Sequence, residues 1–253
     1  MLKRDGVELF YTEAGSGELP VLLVHGWTCD HTAMAPLSTY FRRSHRVISV
    51  DLRGHGGSDK PEQEYSMAVF ADDLAWMCGE LGIEKPIVIG HSMGGVIAVE
   101  LAAKFPDLPS VVVTLDSPIV PPQALRERLT SVVEGLRAPG FHELQSKFVD
   151  SLFLPTDNQD RKARIKAGMM NTPQHVAVSA IANVLKNTES ATEACRVPLL
   201  ALAAAESLSD IPRLREACPH VVTGQTVGAG HFHQLEVPEQ VTAMIERFLT
   251  ISL

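Results

Sequence analysis

The 253 residues include 45% hydrophobic and 21% charged side chains, with a formal net charge of −8. That balance fits one soluble α/β domain, or one with an insertion, large enough to bury a core without a metal or disulfide staple. An acidic chain is a poor nucleic-acid partner, and no apolar run approaches the roughly 18 residues that would span a bilayer.

Met1 to Gly6 lacks the apolar core of a signal peptide. Cys29, Cys78, Cys195 and Cys218 are far apart in sequence and form no C-x-x-C pair. They are expected to be reduced thiols of a cytoplasmic protein, with no metal site. No internal repeat or low-complexity segment interrupts the chain.

Val7 to Thr12 alternates and predicts a strand, followed by a turn at Ala14 to Gly17. Pro20 to Val24 is continuously apolar, as in a strand buried on both faces, and it runs into His25-Gly26-Trp27. Arg46 to Val50 predicts the next buried strand. Its following loop, Asp51 to Asp59, is glycine-rich but lacks the G-K-[ST] ending of a phosphate loop. The charged and small residues there, His55 among them, are expected to brace the turn. Ser66 to Leu81 has helical spacing with Trp76 and Met77 on its core face, and Gly82 stops it.

The central stretch is Pro86 to Gly95. Pro86 to Ile89 predicts a short buried strand and Val96 to Lys104 a helix. Between them Gly90-His91-Ser92-Met93-Gly94 fits G-x-S-x-G, in which the serine occupies a strained strand-to-helix turn. Flanking glycines let strand and helix approach, and the helix N-terminus offers free N–H groups to developing negative charge.

Beyond it, Ser110 to Leu115 predicts a strand ending in Asp116. Helical periodicity then runs uninterrupted from about Pro121 to Ala194, over Gln123–Leu136, His142–Leu154, Asp160–Met170 and Gln174–Lys186. This block predicts a cap, residues 121–194, inserted into a core of residues 1–120 and 195–253. Phe141, Phe148, Phe153, Met169 and Met170 are its candidate substrate-binding residues, or else pack cap on core. Val197 to Ala203 and Val221 to Val227 resume the sheet, and His231 stands in a glycine-bounded loop before a helix from Pro238 to Leu249. His233 is nearby and less well placed.

The succession of H-G-W, D-L-R-G-H-G-G-S-D and G-H-S-M-G-G after three strands, with His231 after the last, resembles the α/β-hydrolase superfamily. The resemblance implies a mostly parallel central sheet flanked by helices, with the cap inserted after the strand ending at Asp116. It also implies a nucleophilic Ser92, a general base at His231 and an oxyanion hole from the backbone N–H groups of Trp27 and Met93. The acid departs from the usual pattern. Where that superfamily carries its aspartate, after the penultimate strand, this chain has Ser207, with Glu206 before it and Asp210 beyond. Certain dehalogenases, the zearalenone lactonases and the cofactor-free quinolone dioxygenases instead resemble an arrangement with the acid at Asp116. Asp116 is preferred over Glu206, although a turn aspartate at this point could equally serve its own backbone.

The expected chemistry is acyl transfer from a carboxylic ester or lactone to water, without metal or organic cofactor and with no nucleic-acid or membrane partner. Haloalkane dehalogenases and epoxide hydrolases imply an aspartate where Ser92 stands. A cofactor-free dioxygenase of a heteroaromatic substrate, a C–C bond hydrolase and a non-enzymatic receptor on the same fold are the alternatives. Asp30-His31 after H-G-W also has some likeness to the dioxygenases. Acyl preference and oligomeric state are not legible.

Overall fold

The computed structural model describes residues 1–253. Nine strands form, in chain order β1 (Leu2–Arg4), β2 (Val7–Leu9), β3 (Tyr11–Ala14), β4 (Val21–Val24), β5 (Val47–Val50), β6 (Ile87–His91), β7 (Val111–Leu115), β8 (Leu199–Ala203) and β9 (Val222–Gln225). The helices are α1 (Ala35–Phe41), α2 (Met67–Glu80), α3 (Met93–Lys104), α4 (Gln123–Arg137), α5 (Phe141–Asp150), α6 (Gln159–Met169), α7 (Gln174–Asn183), α8 (Thr188–Ala194), α9 (Ile211–Ala217), α10 (His233–Glu236) and α11 (Pro238–Ser252).

Seven strands make one sheet in the order β3-β5-β4-β6-β7-β8-β9. Only β3 runs antiparallel to its neighbour. Every residue of β4, β5, β6, β7 and β8 is buried, which explains why these segments read as unbroken apolar runs. Alternation sorts their side chains between two layers. Leu22, Val24, Val88 and Val112 face the layer that contains α2 and α3. Val21, Leu23, Ile87, Ile89, Val111 and Val113 face the layer of α1 and α11.

The chain order places the site. From β4 the sheet grows one way to β5 and then the other way to β6. That reversal opens a crevice at the C-terminal ends of β4 and β6, where open α/β sheets bind ligands. Val24 pairs with Gly90 there, and His91 pairs with Leu115. His25-Gly26-Trp27, Ser92 and Asp116 therefore all emerge at one edge.

Several elements differ from the sequence reading: β1, α1 and α9 are additional, α5 ends at Asp150 and α7 at Asn183, both short of the expected ends, and α11 continues to Ser252. The strand expected over 7–12 is split at Phe10. Its N–H donates to Ser58 Oγ at 2.8 Å and its carbonyl accepts from Asp51 N at 2.9 Å, so both backbone groups are committed to the 51–59 loop. Helix α3 starts at Met93, because packing against the β4 end accommodates glycines whose helix propensity is poor. The last strand stops at Gln225, since Val227 N turns away to Gln240 Oε1 at 2.9 Å. Finally, α8 was not read as a separate helix. It lies inside the 121–194 block but packs along α3, whereas α4 to α7 supply the roof of the crevice.

Gly94 is required by close approach. A Cβ there would lie 2.3 Å from Val24 O and 2.5 Å from His25 O, both backbone atoms that cannot swing aside. At Gly79, within α2, an added Cβ meets nothing within 4 Å. Gly94→Ala is expected to cost about 1–3 kcal/mol or more in urea unfolding. Gly79→Ala is expected to be neutral or to gain up to about 1 kcal/mol from helix propensity. Equal effects at the two positions would contradict the packing described.

Candidate active site

Ser92 follows β6 directly and precedes the first residue of α3. Its backbone has φ 52° and ψ −118°, a left-handed conformation that side chains rarely adopt. Its N–H donates to Leu115 O at 2.9 Å, which ties the turn to the end of β7. Strain of this kind persists only where the surroundings over-determine it, and here two buried strands and a helix do so.

Asp116 directly follows β7 and, like Ser92, has a positive φ, 43°. Its N–H donates to Leu202 O at 2.7 Å, and its Oδ1 accepts from Ala204 N at 3.1 Å. Its Oδ2 accepts from His231 Nδ1 at 2.6 Å. The carboxylate is 3% exposed, so its charge rests on these two bonds. Because a carboxylate only accepts, Nδ1 of His231 carries the proton and Nε2 is left as the basic nitrogen. Of the other acidic candidates, Glu206 is exposed and makes no hydrogen bond or ion pair, and Asp210 caps α9 by accepting from Arg213 N at 3.2 Å. The structure thus brings Asp116, and neither alternative, to His231.

The loop bearing His231 is held at three points. Ala205 N donates to Ala229 O at 2.9 Å and Gly230 N to Glu236 Oε2 at 2.8 Å. The third is His91, whose Nε2 lies 2.9 Å from His231 O, with the two rings 4.7 Å apart. Burial first, and the neighbouring His231 second, hold the His91 pKa well below the ordinary histidine value. His91 is therefore neutral, and its Nε2–H donates to that carbonyl. Neither His91 nor Glu236 was singled out from sequence. His91 acts through a backbone atom 140 residues away, and Glu236 through the backbone of the loop just before it, contacts that no local pattern announces. His233 is buried, sits 3.1 Å from Thr226 Oγ1, and is pushed down to about 4 by desolvation. It does not line the cleft.

Ser92 and His231 line one cleft of about 660 Å³, counted to its open mouth. No protein atom accepts a hydrogen bond from the Ser92 hydroxyl, so the serine is not yet bonded to His231; such contacts often tighten only when substrate arrives. Two backbone donors are unengaged beside the serine. Met93 is the first residue of α3, so its N–H has no intrahelical acceptor, and the N–H of Trp27 makes no backbone bond. The Trp27 side chain reaches the roof, donating from Nε1 to Ala177 O at 2.9 Å.

The candidate pocket residues divide. Phe148 and Met169 line the cleft. Phe153 does not: it stacks behind Phe232, ring centroids 5.1 Å apart, and so forms a second layer. Met170, at the C-cap of α6, and Phe141, beside His142, also lie outside the lining. In helices of this length only one stripe can face the crevice, and the roof contributes Leu125, Leu129 and Ile181 where the sequence reading named phenylalanines and methionines. Asp30 and His31, whose place after H-G-W has some likeness to the dioxygenases, have other contacts. Asp30 caps a short 3₁₀ turn, and His31 Nδ1 bonds Asp51 Oδ1 at 2.8 Å, with neither in the cleft. His55 is fully buried, bonded to Arg53 O at 2.9 Å and pushed down to about 3 by desolvation, a bracing residue as expected.

Comparison with known proteins places the fold. The sequence profile described as alpha/beta hydrolase fold matches residues 20–238. A 2-(acetamidomethylene)succinate hydrolase from Mesorhizobium japonicum is 30% identical over 260 residues, covering 96% of this chain and 92% of that protein. A thermophilic esterase from Thermogutta terrifontis superposes with a TM-score of 0.85 at 26% identity, over 97% of this chain and 94% of that one. An enol-lactonase from Burkholderia xenovorans LB400 shares the fold with a TM-score of 0.86 at 22% identity, over 97% and 98% of the two chains. No helix of the structure is long and apolar enough to cross a membrane. With the profile spanning most of its length and a full-length hydrolase relative, the chain belongs to the alpha/beta hydrolase family.

Proposed function

We propose that this hydrolase is a serine enzyme that cleaves a carboxylic ester or lactone through an acyl-enzyme on Ser92. The observation that carries the reading is the convergence of a strained serine and a carboxylate-bound histidine on one largely apolar cleft. His231 Nε2 takes the Ser92 proton as Oγ attacks the carbonyl carbon. The N–H groups of Met93 and Trp27 hold the oxyanion, and such a donor is worth roughly 10²–10³ in rate. Asp116 keeps the imidazole in the required tautomer and stabilises its charged form. The leaving alcohol departs with the proton from His231, and water, deprotonated by the same nitrogen, releases the acid and restores Ser92. The esterase relative supports the ester as substrate, and the apolar lining supports a hydrocarbon portion next to the scissile bond.

A fluorophosphonate probe is expected to label the native protein and not Ser92→Ala, and that variant is expected to lose hydrolysis of p-nitrophenyl esters and lactones. Labelling of a different serine, with turnover intact in Ser92→Ala, would overturn the assignment. Asp116→Asn is expected to keep its circular dichroism and lose about 10⁴ in kcat, by analogy with serine proteases. Glu206→Gln is expected to stay within about twofold of native, as an exposed side chain away from the chemistry. The reverse result would place the acid at Glu206.

A further inference from the structure

We infer that Arg128 recognises an anion at the mouth of the cleft, so that the substrates carry an ionised carboxylate removed from the scissile carbonyl. This rests on the proposed hydrolytic site and narrows its substrate class. Although the chain has a net charge of −8, no aspartate or glutamate lines the cleft, and among its lining residues Arg128 alone carries a fixed charge. Arg128 projects from α4 at an exposed position, and no ion pair of the protein engages it.

Its geometry is nevertheless fixed. The guanidinium lies 5.6 Å from the centroid of the Phe148 ring, and Nη2 donates to Ser151 Oγ at 2.7 Å. Phe148 in turn meets the Trp27 ring edge-on at 5.6 Å. An aromatic column thus connects the cation to the residue whose N–H is the proposed oxyanion donor. Neighbouring Arg126, by contrast, is 3.8 Å from Glu189 and spent within the fold. An arginine seated over a ring, with most of its donor fork unused, suits bidentate capture of a carboxylate, and the apolar walls strengthen that attraction. Esters of dicarboxylic acids, or of carboxylate-bearing alcohols, have this form.

The test compares matched substrates: mono-p-nitrophenyl glutarate against p-nitrophenyl butyrate, and 4-acetoxybenzoate against phenyl acetate. In the native enzyme at least one anionic partner is expected to have the higher kcat/KM, through KM, with the advantage shrinking as salt is raised. Arg128→Met is expected to cut that anionic-to-neutral ratio about tenfold, and Arg128→Lys to retain part of it. A ratio that favours neither anion in the native enzyme, or that is unaltered in Arg128→Met, would overturn the proposal. Calorimetry with glutarate separates this from failure of the hydrolytic reading. Binding to native protein but not to Arg128→Met supports the anion site even if no ester is cleaved, and equal binding or none to both contradicts it.

Discussion

The hydrogen bond between His231 Nδ1 and Asp116 Oδ2, at 2.6 Å, is the interaction on which the site's arrangement depends. Asp116 is nearly removed from water, so a charge there is tolerable only if partnered. The bond supplies that partner and at the same time fixes which imidazole nitrogen is basic. The remaining features serve to bring these two groups, distant in sequence, to one point. Leu115 places the carboxylate at a strand end, Ala204 N holds its second oxygen, and neutral His91 holds the histidine's carbonyl.

Two residues in unfavourable backbone conformations, Ser92 and Asp116, sit side by side at adjacent strand ends. Each strained residue of this kind costs on the order of 1–3 kcal/mol. The cost is absorbed by the sheet beneath, whose central strands are buried on both faces and pinned in register. A loop-borne nucleophile without that support would relax. The same logic explains the glycine at position 94, where the helix following Ser92 presses on the carbonyls that end β4.

The parts legible in the sequence are those written locally. Unbroken apolar runs marked the buried strands, G-H-S-M-G marked the elbow, and the glycines around 228–230 marked the histidine loop. Asp116 was legible as a residue at a strand end, but its competition with Glu206 could be resolved only by knowing which carboxylate meets His231. The roof was the least readable part. Helical periodicity indicated α4 to α7, yet which stripe faces the cleft depends on how the helices cross. For that reason Phe148 and Met169 line it while Phe153 and Met170 do not. Arg128 reads in sequence as one more charge on an exposed helix face. Only its seat on Phe148 distinguishes it.

The central claim is a covalent intermediate on Ser92. It is tested most directly with a p-nitrophenyl carbamate, because carbamoyl-enzymes are slow to hydrolyse and accumulate. Mixing should release a burst of p-nitrophenol stoichiometric with enzyme, and peptide mapping of the quenched protein should find the carbamoyl mass on Ser92. Steady release of p-nitrophenol with no covalent mass, or with the mass on a residue other than Ser92, would contradict the account.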